Sequence, residues 1–258
     1  MGESTAGGRH GGTLILLRHG ESQGNADGLF TGVLDVPITE RGREEAAHAA
    51  RLLDAAGLRP AKWFSSPLQR VTATVEVLQE ALGASAADVT VVEDWRLAER
   101  NYGALTNRTK AEVRAEFGEE RFRFWRRSLH GRPPALDDVQ WAELFPAGGI
   151  QPPLLVGRTE SLADVVVRVA PVYLDEIVPA LASGADVLVV AHGNSLRALC
   201  AILDDLDERE IEDLNLPTGY PLVYNSDERG VPVPRSGRYL DADAATAAAR
   251  KVAAEGGT

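Results

Sequence analysis

Two uninterrupted apolar runs, Leu14-Ile15-Leu16-Leu17 and Val187-Leu188-Val189-Val190-Ala191, stand out in an otherwise amphipathic chain. Runs this short, without the alternation of a half-exposed strand, read as parallel strands buried on both faces. Elsewhere the apolar residues recur at helical spacing: Leu68, Val71, Val75, Leu78 and Leu82, then Leu162, Val165, Val169, Val172 and Tyr173, then Leu196, Leu199 and Leu203. Thr39 is a candidate N-cap for a helix running through Leu53 to Gly57, and Ser66-Pro67 a cap and first-turn proline for a second that Gly83 should end. Thr159-Glu160-Ser161 precedes a third, ending near 179–184. Trp63-Phe64-Ser65 and residues 89–92 supply further strands, and Lys110 begins a basic helical stretch with Arg114, Arg121, Arg123, Arg126 and Arg127 set among glutamates. Strands alternating with helices predict an α/β fold.

Both apolar runs end in His-Gly. The first delivers Arg18-His19-Gly20-Glu21-Ser22, the second His192-Gly193-Asn194 at the start of a helix. In open α/β sheets ligands gather at the carboxyl ends of the strands, so parallel neighbours would put both imidazoles on one edge. A neutral imidazole is nucleophilic near neutral pH, a guanidinium holds a phosphate through two hydrogen bonds, and a helix N-terminus offers backbone donors to an anion. Arg70 falls in the first turn of its helix, where the dipole disfavours a cation and a bound anion would explain it. Arg9-His10-Gly11 repeats the string without a strand before it and is read as a decoy.

Composition narrows the function. The 258 residues are 44% hydrophobic and 25% charged, which suits one large domain. A net charge of −11 argues against nucleic-acid binding, leaving small anions held by local arginine clusters. The single cysteine, Cys200, excludes an internal disulfide and reads as a buried hydrophobe in a reducing, cytoplasmic setting. His48 lacks partners at metal-ligand spacing, so no metal is expected, and no apolar run is long enough to span a membrane or form a secretory signal. Residues 1–12 read as a disordered extension and 13–240 as the catalytic domain. An irregular Pro/Gly-rich excursion at 133–153 lies in an insertion of about 131–158, and 241–258 reads as an Ala-rich tail.

Several blocks are then similar to the histidine phosphatase superfamily, and within it to the phosphoglycerate mutases that use 2,3-bisphosphoglycerate. They are Leu16 to Ser22, Phe30-Thr31-Gly32, Leu97 to Leu105, Lys110-Ala111-Glu112, Trp125-Arg126-Arg127-Ser128, Ala191 to Arg197, and Leu214 to Gly219. Arg-His-Gly marks the superfamily; Glu-Arg-x-Tyr-Gly, Trp-Arg-Arg and Leu-Asn-Leu-Pro-Thr-Gly point to the mutase branch. The resemblance implies a three-layer α/β/α sandwich with a mostly parallel central sheet. It implies that His19 accepts the phosphoryl group among Arg18, Asn25, Arg70 and His192, and that Glu99 is the general acid/base. Ser22, Thr31, Gly32, Arg100, Tyr102, Lys110, Arg126, Arg127, Gly193 and Asn194 match residues that hold the phosphates and carboxylate of a small phosphorylated acid. The implied reaction interconverts 3-phosphoglycerate and 2-phosphoglycerate in glycolysis and gluconeogenesis, primed by 2,3-bisphosphoglycerate and needing no metal. A homodimer or homotetramer and a lid-like tail belong to the same resemblance. The chain departs from the pattern at Gly24, where the family has an aromatic residue, at Asn101 for a histidine, at Thr106-Asn107-Arg108-Thr109 for a Gly-containing turn, and over 133–158. A phosphatase, or a mutase for another small phosphorylated acid, is the alternative those departures leave.

Overall fold

Every residue of the two apolar runs is buried, because each becomes a strand covered on both faces. The computed structural model describes residues 11–83, 86, 89–147 and 151–254. Its first half runs β1 (Thr13–Arg18), α1 (Gln23–Ala26), α2 (Glu40–Ala55), β2 (Lys62–Ser65), α3 (Gln69–Leu82), β3 (Thr90–Glu93) and α4 (Lys110–Arg127). After these come α5 (Asp138–Leu144), α6 (Leu162–Val172), α7 (Val178–Ala182), β4 (Val187–Ala191), α8 (Gly193–Asp204), α9 (Glu208–Asp213), β5 (Leu222–Asn225), β6 (Arg238–Tyr239) and α10 (Ala242–Ala254).

Among the described residues the strands form one sheet in the order β3-β2-β4-β1-β5-β6. β3, β2, β4 and β1 are mutually parallel, and β5 and β6 add an antiparallel margin. Alternate side chains of the central strands divide between two cores. Leu14, Leu16, Val187 and Val189 pack with Val165 and Val169 of α6 and Leu196 and Leu199 of α8. Ile15, Leu17, Leu188 and Val190 pack with Ala49 and Leu53 of α2 and Val71 and Val75 of α3. This is the expected α/β/α sandwich, and each buried Leu or Val contributes about 1.5–3 kcal/mol of transfer free energy.

The Thr39 hydroxyl accepts from the Gly42 amide and caps α2, and Gly83 ends α3 at φ 58°. Three expectations need correction. Ser66-Pro67 does not cap α3; its N-cap is Leu68, and the Ser66 hydroxyl is used elsewhere. The excursion is only partly irregular, since it holds α5, and Leu136, Phe145 and Val156 close a small core around Val33. Gly12 belongs to the fold rather than to the extension: its amide donates to the Leu181 carbonyl and its carbonyl accepts from Ser226. The decoy's Arg9 and His10 lie outside the described residues.

The basic helix α4 is broken. Gly118 sits at φ 80°, ψ 162°, and the two halves fold against each other with the Phe117 and Trp125 rings 5.0 Å apart. A straight helix would separate Lys110 from Arg126 by about 24 Å at 1.5 Å per residue. Both instead line one small pocket.

Candidate active site

Register puts the two strand-end histidines together. Arg18 lies opposite Ala191 across the β1–β4 pair, and the His19 amide donates to the Ala191 carbonyl at 3.0 Å. The imidazoles of His19 and His192 meet edge to face, with centroids 5.0 Å apart. His19 Nδ1 lies 2.7 Å from the Gly20 carbonyl. A carbonyl can only accept, so Nδ1 carries the proton and Nε2 keeps its lone pair. Burial, and then the charges of Arg70 and Arg18, hold the His19 pKa well below its ordinary value, and burial with Arg70 does the same for His192. Both rings are therefore neutral at neutral pH. His192 Nε2 is 2.9 Å from the Ser66 hydroxyl, at the end of β2.

A cavity of about 40 Å³ lies over His19. Of the residues that the sequence singles out, Arg18, Ser22, Asn25, Thr31, Gly32, Arg70, Glu99, Tyr102, Lys110 and Arg126 line it, together with Leu29 and Phe30. Each is held by its own part of the fold. Arg18 donates to the Leu216 carbonyl, so the Leu-Asn-Leu-Pro-Thr-Gly block anchors it. Arg70 donates to the Gly32 and Leu34 carbonyls and pins the loop before α2; Gly32 itself adopts φ 53°, which suits glycine. Ser22 and Asn25 bond each other in the capping box of α1. Burial lowers the Arg70 and Arg126 guanidiniums to about 10, which leaves both charged at neutral pH. Burial opposes ionisation of Tyr102, but Arg100 and Arg126 together outweigh it and its phenol falls below the ordinary value.

The other expected residues stand behind this wall. Asn194, at the start of α8, donates to the Glu99 carboxylate at 2.8 Å and to the Tyr102 hydroxyl at 2.9 Å, and its neighbour Gly193 opens the helix. Arg100 stacks 4.5 Å from the Tyr102 ring centroid and donates to the Arg126 carbonyl. Among the described residues its Nε and Nη1 have no hydrogen-bond partner, nor have Thr31 Oγ1 and His192 Nδ1, all buried. Arg127 departs from expectation: its guanidinium donates to the Glu212 and Leu214 carbonyls and braces the segment after α9 rather than lining the cavity. No metal-holding group of side chains occurs among the described residues. A wider cleft of about 950 Å³ adjoins through Arg18, Asn25 and Lys110, with Ala248, Lys251 and Val252 of α10 on one side and Tyr220 and His48 on another.

The departures fall outside the cavity. Asn101 donates through its side chain to the Gly157 carbonyl and accepts from the Gly103 amide, tying the excursion down. At Gly24 a Cβ would stand 2.1 Å from Thr31 Oγ1, so glycine makes room for Thr31. Asn107 supplies a left-handed turn at φ 66°, a conformation asparagine tolerates without glycine.

A match to the histidine phosphatase superfamily (branch 1) spans residues 14–232. The chain belongs to that superfamily. It is 48% identical over 246 residues to the 2,3-bisphosphoglycerate-dependent phosphoglycerate mutase of Thermobifida fusca, covering 95% of this chain and 99% of the relative. It is 46% identical to the enzyme of the same description from Corynebacterium diphtheriae, over 95% and 98%. Among solved structures of the superfamily fold, it is similar to a mycobacterial hydrolase with a TM-score of 0.63 and 26% identity, over 90% of this chain and 97% of that one. A mycobacterial glucosyl-3-phosphoglycerate phosphatase gives 0.62 and 25%, with the same coverage.

Proposed function

We propose that this chain is a phosphoglycerate mutase that interconverts 3-phosphoglycerate and 2-phosphoglycerate through phospho-His19. The carrying observation is the buried, neutral His19, with Nε2 unprotonated beside Arg18 and Arg70 and with the Glu99 carboxylate lining the same cavity. Phosphoryl transfer needs positioning and neutralisation of spread negative charge rather than a metal, and Arg18, Arg70, Lys110 and Arg126 supply both. Nε2 takes the phosphoryl group, and Glu99 passes a proton to or from the substrate oxygen that loses or gains it. Asn194 holds that carboxylate, Tyr102, Ser22, Asn25, Thr31 and Gly32 complete the anion cradle, and Arg100 supports it from behind through the Tyr102 ring and the Arg126 carbonyl. The buried Thr31 hydroxyl without a partner on the cavity wall, together with the cations that line it, fits the phosphates of 2,3-bisphosphoglycerate. When bound, it supplies the phosphoryl group that loads His19.

The mutase relatives share 46–48% identity with the chain and the phosphatase 25%, and neither Asn101 nor Gly24 lines the cavity. Those observations favour the mutase over a phosphatase. None of the described helices is long and apolar enough to cross a membrane, in keeping with a cytoplasmic role. The test is an assay primed with 2,3-bisphosphoglycerate that reads isomer and free phosphate together. Conversion of 3-phosphoglycerate without phosphate release is expected, lost in His19→Ala. Phosphate release without isomer would favour a phosphatase, and activity surviving His19→Ala would sink the phosphohistidine route.

A further inference from the structure

Glu99, Arg100 and Tyr102 lie on a loop outside any strand or α-helix, and backbone groups of such a loop need partners. Three of them, the Glu99 carbonyl and the Asn101 amide and carbonyl, find theirs in two residues that form a buried ion pair outside the cavity. Glu160, just before the N-cap of α6, and Arg168, on α6, lie 2.8 Å apart with side chains 4% and 6% exposed. The Arg168 fork donates to the Arg96 carbonyl at 2.6 Å and to the Glu99 carbonyl at 3.1 Å. Glu160 accepts from the Asn101 amide at 2.9 Å, and its own amide donates back to the Asn101 carbonyl at 2.9 Å. The Glu99 main chain is thus gripped from behind while Asn194 grips its carboxylate from the front.

A buried ion pair is a poor source of stability, because desolvation offsets most of the attraction. Its value here is geometric. A planar fork reaching two carbonyls and a carboxylate holds all three in one rigid geometry, which the freely rotating donors of an ammonium do not impose. We propose that Glu160 and Arg168 are positioning residues that aim the Glu99 carboxyl at the substrate oxygen. This rests on the proton-transfer role given to Glu99 above. In that step the P–O bond breaks as P–Nε2 forms, and the departing oxygen takes the Glu99 proton.

The experiment compares two donors to His19. A phosphoglycerate leaves as an alkoxide and needs the Glu99 proton, whereas acetyl phosphate leaves as acetate and does not. Arg168→Lys is expected to lower kcat with 3-phosphoglycerate on the order of ten-fold, with KM and the labelling of His19 by acetyl phosphate each within about two-fold of wild type. Glu99→Gln should show the same split. Should Arg168→Lys not accumulate as folded protein, Arg168→Met/Glu160→Met removes both charges and carries the same comparison. If Glu99→Gln splits the donors but the Arg168 variant slows both alike, or neither, the positioning role is overturned and the mutase stands. If Glu99→Gln slows both alike, the role of Glu99 falls and takes this proposal with it.

Discussion

Ser66 has no place in the cavity, yet its hydroxyl is the partner of His192 Nε2. Ser66→Ala should free that ring and lower kcat on the order of ten-fold, at a cost of about 1–3 kcal/mol in stability for the buried His192 nitrogen and Leu68 amide that lose a partner; an unchanged kcat would remove Ser66 from the site. Both buried histidines also predict how stability follows pH. Folded, they refuse a proton well below 6.5, whereas in the unfolded chain they accept one near 6.5. As pH falls below that value the unfolded state gains protons and the folded state does not, so stability drops by up to about 1.4 kcal/mol per pH unit for each ring. Urea midpoints measured from about pH 7 to about pH 5 should fall, and fall less steeply in His192→Asn. The histidines were legible in the sequence because each ends an apolar run. Ser66 was misread because Ser-Pro before a helical pattern carries the same signal whether the hydroxyl caps a helix or serves a distant ring. Glu160 and Arg168 carry no local signal of this role, as the loop groups they hold, on Arg96, Glu99 and Asn101, lie far away along the chain.

At the scale of elements, periodicity located β1, β4, α2, α3 and α8 closely, since burial on one or two faces writes directly into the apolar pattern. It could not show that α4 folds back on itself. The only trace is Gly118, and a glycine inside a helical pattern signals a weak point without giving its direction. Glycine there has open space around its Cα, so the cost of a side chain is purely conformational. Gly118→Ala should destabilise the fold by about 1–2 kcal/mol through its left-handed φ. If the break sets the distance between Lys110 and Arg126, KM for 3-phosphoglycerate should rise as well; a lowered melting temperature with an unchanged KM would separate the two effects. The excursion was read as irregular because proline and glycine dominate its composition, while its tertiary contacts, Phe145 and Val156 against Val33, are invisible to local pattern.

On the scale of the whole molecule, an acidic protein gathers Arg18, Arg70, Lys110 and Arg126 around one inner cavity, and α10 walls the wider cleft outside it. Removing residues 241–258 should leave the sheet folded but admit water to phospho-His19, raising free phosphate relative to isomer in the primed assay; an unchanged ratio would show that α10 does not limit water entry. The overall architecture was legible because two unalternating strands imply a doubly covered sheet, but the strand order was not, since pairing partners are set by packing and not by composition. That order has a further consequence. β1, the first strand among the described residues, pairs there with β4 and β5 alone, so Leu14 waits for Val187 and Tyr224. At ribosomal rates of about 5–20 residues per second, roughly 10–40 s pass before β4 emerges to join it. Through that interval the nascent chain carries an unpaired apolar strand and no assembled phosphate pocket, so the half-made protein is both inert and a natural client for a chaperone.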